Sequence, residues 1–264
     1  MITGVAFLAV AAVLAVAVVL IWRDVFAEAE IPPEIRVPGG AAVDTQECRL
    51  AVHEAGHAVA AWCCTLVAEV DLATIEHKDK IEGWEGGVVR YSFYGVNWMD
   101  DRWCKMVIAL SGVAAEAMVY SRWRTTGSQA DLLKALAVAE SLASSKNPVD
   151  PPWRRLGAIP GDRVPDLASA FRSKPSSGAT GNLEEGYRMA RRVLRSHGGA
   201  FFKVVSMLLA KKSTTKADIE ALLGKRYFAT FALAGAHFES IVNESGRPER
   251  FKPGFVLPKR KKAA

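Results

Sequence analysis

Ala51-Val52-His53-Glu54-Ala55-Gly56-His57-Ala58-Val59-Ala60-Ala61-Trp62 is the stretch on which the reading of this chain turns. His53, Glu54 and His57 fit the pattern H-E-x-x-H. On a helix, residues four apart share a face, so two imidazoles can reach one metal ion. The glutamate beside the first imidazole stands where the base of a metal-assisted hydrolysis is needed. Three fixed identities in five positions also occur in unrelated chains, so the surroundings matter. Asp44 and Thr45 offer an N-cap, Glu47 to Val52 lead in without Gly or Pro, and Ala58 to Trp62 continue the helix. The competing reading is a buried helix whose histidines are satisfied by hydrogen bonds alone.

A catalytic zinc ion usually takes three protein ligands and leaves a fourth position open. The chain has five histidines, His53, His57, His77, His197 and His237. None follows at the short spacing of the metzincin extension. The third ligand is therefore expected from farther along the chain, where a carboxylate is acceptable. Asp131 is one candidate, but Ser128-Gln129-Ala130-Asp131 also fits a capping box, which makes Asp131 a helix-start residue.

Several blocks together resemble the FtsH-type membrane zinc metallopeptidases. Ala51-Val52-His53-Glu54-Ala55-Gly56-His57-Ala58 is similar to the family's zinc helix. Leu110-Ser111-Gly112-Val113-Ala114-Ala115-Glu116 resembles its small-residue helix, and Thr125-Thr126-Gly127-Ser128-Gln129-Ala130-Asp131-Leu132 resembles the segment that ends on its third ligand. Val70 to Ile75 and Gly86 to Val89 resemble the strands after the zinc helix. Leu208 to Lys212 and Asp218 to Leu223 resemble the closing helices. The resemblance covers about residues 45 to 224 and implies that His53, His57 and Asp131 bind Zn2+, with Glu54 as general base. Glu116 is then a candidate to orient a ligating histidine from behind, the alternative being an ordinary helix-surface glutamate. Ser144 to Gly181 does not align with the family. No G-x-x-x-x-G-K-[ST] phosphate loop occurs in the 264 residues, Gly224-Lys225 being a weak echo. Residues 30–45 are too few for a nucleotide-binding domain. The expectation is a peptidase domain without the family's ATPase, unable by itself to unfold substrates.

Val5 to Trp22 is an unbroken apolar run. At about 1.5 Å per residue, Ile2 to Trp22 can cross a hydrocarbon core roughly 30 Å thick. A secretory signal is the competitor, since Ala27-Glu28-Ala29 resembles a cleavage site. Such signals usually carry a basic start and a shorter apolar stretch. A buried core helix fits less well, because the run has almost no polar face. No Lys or Arg precedes the run, while Arg23 and Arg36 follow it, which places the catalytic domain on the cytoplasmic side. Cys48, Cys63, Cys64 and Cys104 show no C-x-x-C metal spacing and read as reduced core or surface thiols. Cys63 and Cys64 lie too far along the helix from His57 to join its metal.

Pro32, Pro33, Pro38, Gly39 and Gly40 mark a linker. The expected organisation is a transmembrane anchor over 1–23, the linker over 24–44, a zinc metallopeptidase domain over 45–245 and a basic tail over 246–264. The formal net charge is +6, and Arg247 to Ala264, with seven Lys or Arg and one Glu, accounts for all of it. The remainder is balanced, which argues against a nucleic-acid partner. Lys259-Arg260-Lys261-Lys262 can contact anionic lipid or form a solvated tail.

The expected fold is mainly α with a small β-sheet (α+β), long enough for one sizeable core. Helices are expected at about 45–65, 99–120, 128–145, 183–197, 199–212 and 215–224, with another at Tyr227–Asn243. Strands are expected near 69–76 and 86–94. The second can serve as an edge strand whose Gly87, Val88, Val89, Arg90 and Tyr91 pair with substrate backbone, with Arg90, Tyr91 and Phe93 alternating faces. A plain hairpin is the alternative. Trp84, Trp98, Trp103 and Trp123 read as core or rim aromatics. The stretch from Pro148 through Pro175 to Ser176-Ser177-Gly178 reads as irregular, either a flap over the site or a surface insertion. The functional expectation is a single-pass, membrane-anchored, ATP-independent zinc endopeptidase that cuts flexible or unfolded protein segments. Its partners would be protein or peptide substrates and a separate ATPase or further copies of itself. The alternatives are a non-catalytic interaction module on a peptidase scaffold and a secreted zinc peptidase.

Overall fold

In the computed structural model, residues 43–64, 67–78, 85–93, 99–145 and 164–224 are described. The expected anchor, most of the linker, Trp84, Trp98, the helix at Tyr227–Asn243 and the basic tail lie outside these residues.

The first helix, α1, spans Gln46–Cys63. Thr45 caps it by accepting the Cys48 N–H at 3.2 Å, and Cys64 leaves it in extended backbone. From Ala51 to Cys63 every residue is buried, which is the pattern of a central core helix rather than a surface one. Its small residues allow this. A Cβ on Gly56 would stand 2.6 Å from the Ser111 carbonyl oxygen on the next helix, so α1 meets that helix backbone to backbone.

That neighbour is α2, Met99–Tyr120. Its Arg102–Tyr120 window is long and apolar enough to cross a membrane by composition, but 72% of it is buried inside the fold, so core packing accounts for its character. Between α1 and α2 runs an antiparallel hairpin of β1 (Val67–Lys78) and β2 (Glu85–Phe93), paired Val70 to Tyr91 and Ala73 to Val89. The sequence reading has two strands, and a third is present. β3 (Ser213–Thr215) pairs antiparallel with the other side of β1, giving the order β2-β1-β3.

The third helix, α3, spans Thr125–Ala143, three residues earlier than the expected 128. This corrects the capping-box alternative. Ser128 is already inside the helix, and its buried hydroxyl donates to Glu116 at 3.3 Å. The next helix also begins early. α4 is Ser177–Ser196, capped by Ser176, whose hydroxyl accepts the Ala179 N–H at 3.2 Å. Ser176-Ser177-Gly178, expected as irregular, is thus a cap and first turn. Glu140 fixes its entry by accepting from both the Ser176 N–H at 3.0 Å and its hydroxyl at 2.8 Å.

α5 (Gly198–Lys211) stops at Lys212, which adopts φ 64°, the left-handed turn that closes helices. α6 (Lys216–Leu223) starts from Thr215 in a reciprocal capping box with Asp218. Trp103, Tyr187, Phe201 and Leu208 are fully buried side chains of the common core, and Trp123 is half-buried at its edge. All four cysteines are free and buried, which selects the core alternative for them. The described residues are thus mainly helical with one small antiparallel sheet, as expected.

Candidate metal centre

One turn of α1 separates His53 from His57, and their Nε2 atoms stand 3.0 Å apart. α3 brings in Asp131, whose Oδ2 lies 3.2 Å from His53 Nε2 and 3.3 Å from His57 Nε2. Among the described residues these three side chains form the metal-ligand group whose donor atoms converge. Ligands held at about 2.0–2.2 Å by a tetrahedral ion stand roughly 3.3–3.6 Å from each other, so the observed triangle is nearly the right size.

The opposite nitrogens of both rings are tied. His57 Nδ1–H donates to the Ile108 carbonyl at 2.7 Å, and His53 Nδ1–H donates to Glu116 Oε1 at 2.9 Å. With the protons placed there, both Nε2 lone pairs point at one another and at a carboxylate. A cation is the occupant that such a donor set fits, and outer hydrogen bonds of this kind are what orient ligating histidines. Ser111 lies between, its hydroxyl donating to the same Ile108 carbonyl at 2.5 Å. A Cβ at Gly112 would fall 2.5 Å from His53 Nε2. The ring rests on bare backbone of α2.

The electrostatics follow from this packing. Burial works against charge on His53, but Asp131 and Glu116 outweigh it and raise the imidazole to about 10. Burial also opposes ionisation of Asp131 and Glu116. The two histidines nevertheless hold Asp131 well below the carboxylate range. For Glu116, the His53 hydrogen bond and charge, then the Arg124 amide and Arg49, lower the carboxyl from its ordinary value. Glu54 differs: burial pushes its carboxyl up, with His57 and His53 only partly offsetting. Its side chain lies beneath β2, where any Cβ on Gly87 would run into it.

The expected residues are therefore together. His53, His57 and Asp131 converge, Glu116 stands behind His53, and Glu54 faces the strand that carries Gly87, Val88, Val89, Arg90 and Tyr91. β2 is one of the two outer strands of the sheet. Arg90 is exposed, while Tyr91 and Phe93 share a face with ring centroids 5.7 Å apart. The Ser128 contact with Glu116, the Ile108 carbonyl and the close backbone approach at Gly87 and Gly112 are not anticipated by the sequence reading. An isolated glycine inside an apolar helix is a signal of close approach that could have found Gly112. No side-chain pattern reports a backbone carbonyl.

A helix bearing H-E-x-x-H, closed by a carboxylate from a following helix and flanked by an edge strand, defines a metallopeptidase type of site. Residues 42–145 match the family model of Peptidase family M41. Among curated relatives, the Mus musculus mitochondrial inner membrane m-AAA protease component AFG3L1 is 30% identical over 238 residues, which is 82% of this chain and 29% of the relative. The AFG3L2 component from the same organism is 29% identical over 211 residues, 73% of this chain and 25% of the relative. The chain thus spans less than a third of the length of these relatives. These matches support an FtsH-type peptidase domain in this chain.

Proposed function

We propose that this chain is a membrane-anchored zinc endopeptidase that cuts flexible or unfolded protein segments and needs no ATP for the cut. The observation that carries this reading is the convergence of His53, His57 and Asp131 with both Nδ1 atoms already engaged. His53, His57 and Asp131 would hold zinc, which would supply a Lewis acid for the peptide carbonyl and for water, whose pKa it would bring toward about 7.

The rest is done by the chain. Glu54 takes the proton from the attacking water and passes it to the leaving amine. Its upward-shifted carboxyl brings it nearer to neutrality, where a group that must both accept and donate works best. Glu116 and the Ile108 carbonyl hold the imidazole tautomers. The β2 backbone from Gly87 to Tyr91 pairs with an extended stretch of substrate, the strand-addition mode of peptide recognition. Only an unfolded or flexible segment can lie there as a strand, and the 264 residues contain no phosphate loop with which to make one.

The Val5–Trp22 run and the membrane named in the relatives' descriptions support anchoring by the N-terminal segment. The charge rule puts the domain on the cytoplasmic face, with the basic tail near anionic headgroups. The relatives are described as components, which supports assembly with further copies or with a separate ATPase.

The test uses the purified full chain in detergent with unfolded casein. Wild type should bind about one zinc per chain and cut casein, with no change on adding ATP and arrest by a chelator. Glu54→Gln should keep its zinc and lose on the order of 10²–10⁴-fold in rate, while Asp131→Ala should lose zinc. If zinc-loaded wild type and Glu54→Gln are equally inert across unfolded substrates, the non-catalytic scaffold replaces the peptidase.

A further inference from the structure

Arg49 sits one helical turn before His53 on α1, and its side chain is only 5% exposed. A buried guanidinium is costly unless both charge and hydrogen bonds are matched, and an apolar side chain of similar volume serves packing at least as well. This one is matched on two sides. Nη1 donates to Glu116 Oε2 at 3.0 Å. Nε and Nη2 grip the two oxygens of Asp44, the second at 2.9 Å. The guanidinium also lies over the Tyr120 ring, 4.4 Å from its centroid, and the Tyr120 hydroxyl donates to the Val43 carbonyl at 3.2 Å.

The partner of interest is Glu116. Its Oε1 accepts from His53 Nδ1–H at 2.9 Å and from the Ser128 hydroxyl at 3.3 Å. Its Oε2 accepts from Arg49 and from the Arg124 backbone N–H at 3.2 Å. One carboxylate of α2 therefore ties together α1, which carries both histidines, and the start of α3, which carries Asp131. Arg49 is the side-chain cation on its second oxygen. Without it, that oxygen keeps a single amide donor and the carboxylate is free to turn away from His53. Asp44 would still be held by Arg122 at 3.0 Å and Arg124 at 3.5 Å, so the domain entry stays anchored.

We propose that Arg49 is a positioning residue of the metal centre, acting through Glu116 to fix the His53 ring and the register of α3 against α1. The inference rests on the zinc reading of His53, His57 and Asp131. A lysine is a poor replacement, because one ammonium cannot fork between Asp44 and Glu116 as a planar guanidinium does.

The test is a cycle of zinc dissociation constants, measured on the full chain in detergent by competition with a chromophoric chelator. Thermal melts of the zinc-free proteins run beside it. Arg49→Met should weaken zinc binding by about 10–100-fold, the range for loss of an outer partner, and Arg49→Lys by less. Glu116→Gln should also weaken it. The diagnostic result is that Arg49→Met adds nothing in the Glu116→Gln background. A general loss of stability would instead add fully. If Arg49→Met gives too little folded protein, Arg49→Lys carries the same cycle. Wild-type affinity within twofold in the folded Arg49 variant, or full additivity with Glu116→Gln, overturns the inference while leaving the zinc reading intact. Failure of wild type to bind zinc overturns that reading, and this inference falls with it.

Discussion

Behind His53 and His57, three helices meet through small residues, and the polar groups among them are matched. Glu116 takes four donors, Ile108 takes two, and the His53 ring lies on the backbone of Gly112. In front of Glu54 the neighbour is a strand at the edge of the sheet, half-buried from Gly86 to Val89 and exposed at Arg90. The first wall is built so that donor atoms have one arrangement. The second leaves backbone hydrogen-bonding groups facing outward. The contrast teaches that rigidity here is local to the three converging side chains, which as proposed metal ligands need preorganisation within fractions of an ångström. On the proposed function, the face that would accept varied chains is an open edge.

The sharpest way to break the rear wall is Gly112→Ala. In a helix interior this exchange ordinarily stabilises by about 0.5–1 kcal/mol. Here the new methyl meets the His53 ring, so a loss of roughly 1–3 kcal/mol is expected from overpacking, together with loss of zinc. Thermal melts and metal analysis on the full chain measure both, and a stabilised, zinc-replete Gly112→Ala would contradict the close packing. Gly87→Ala probes the front wall and should behave differently. The group it meets is the movable end of Glu54, so zinc retention and melting should change little. The rate on casein should fall by on the order of 10²-fold, as for a reacting group displaced by about 1 Å. Equal loss of zinc in both variants would erase the distinction between the walls.

The smallest effect belongs to a place remote in sequence from both walls. His197, half-buried where α4 hands over to α5, donates Nδ1–H to the Val193 carbonyl at 2.9 Å, and burial holds its pKa below the ordinary value. The unfolded chain, titrating near about 6.5, then binds the proton more readily than the folded one. Stability should fall as pH drops through that value and level off below the folded pKa. Comparing pH-dependent melts of wild type and His197→Gln isolates this slope, which should be shallower in the variant.

Much of this was legible in the sequence for a physical reason. The helix of His53 and His57 carries its cap, its small residues and its i, i+4 histidine spacing within twenty positions, so local rules suffice from Thr45 to Cys63. Asp131 lies 78 residues from His53, and only resemblance to a family connected them. Thr125-Thr126-Gly127 are poor helix formers, so the sequence alone puts the start of α3 too late. In the fold its first turns are set by Arg124 and Ser128 reaching Glu116, a tertiary contact that overrides propensity. Pro175-Ser176-Ser177-Gly178 has loop composition, yet Ser176 spends its hydroxyl as a cap. β3 is three polar residues with no hydrophobic pattern, and it exists because β1 offers it a partner.

That last strand sets an order of events during synthesis. The Thr214 hydroxyl donates to the Ala73 carbonyl across 141 residues of chain, and Ile75 N–H to the Lys212 carbonyl. At about 5–20 residues per second, a ribosome leaves roughly 7–28 s between making the two halves of this pairing. Through that interval the far edge of β1 lacks its partner, a ready template for strands of other nascent chains. Contacts so distant in sequence also slow closure once the chain is complete. The part of the fold that carries His53 and His57 is therefore made well before the strand that seals its sheet.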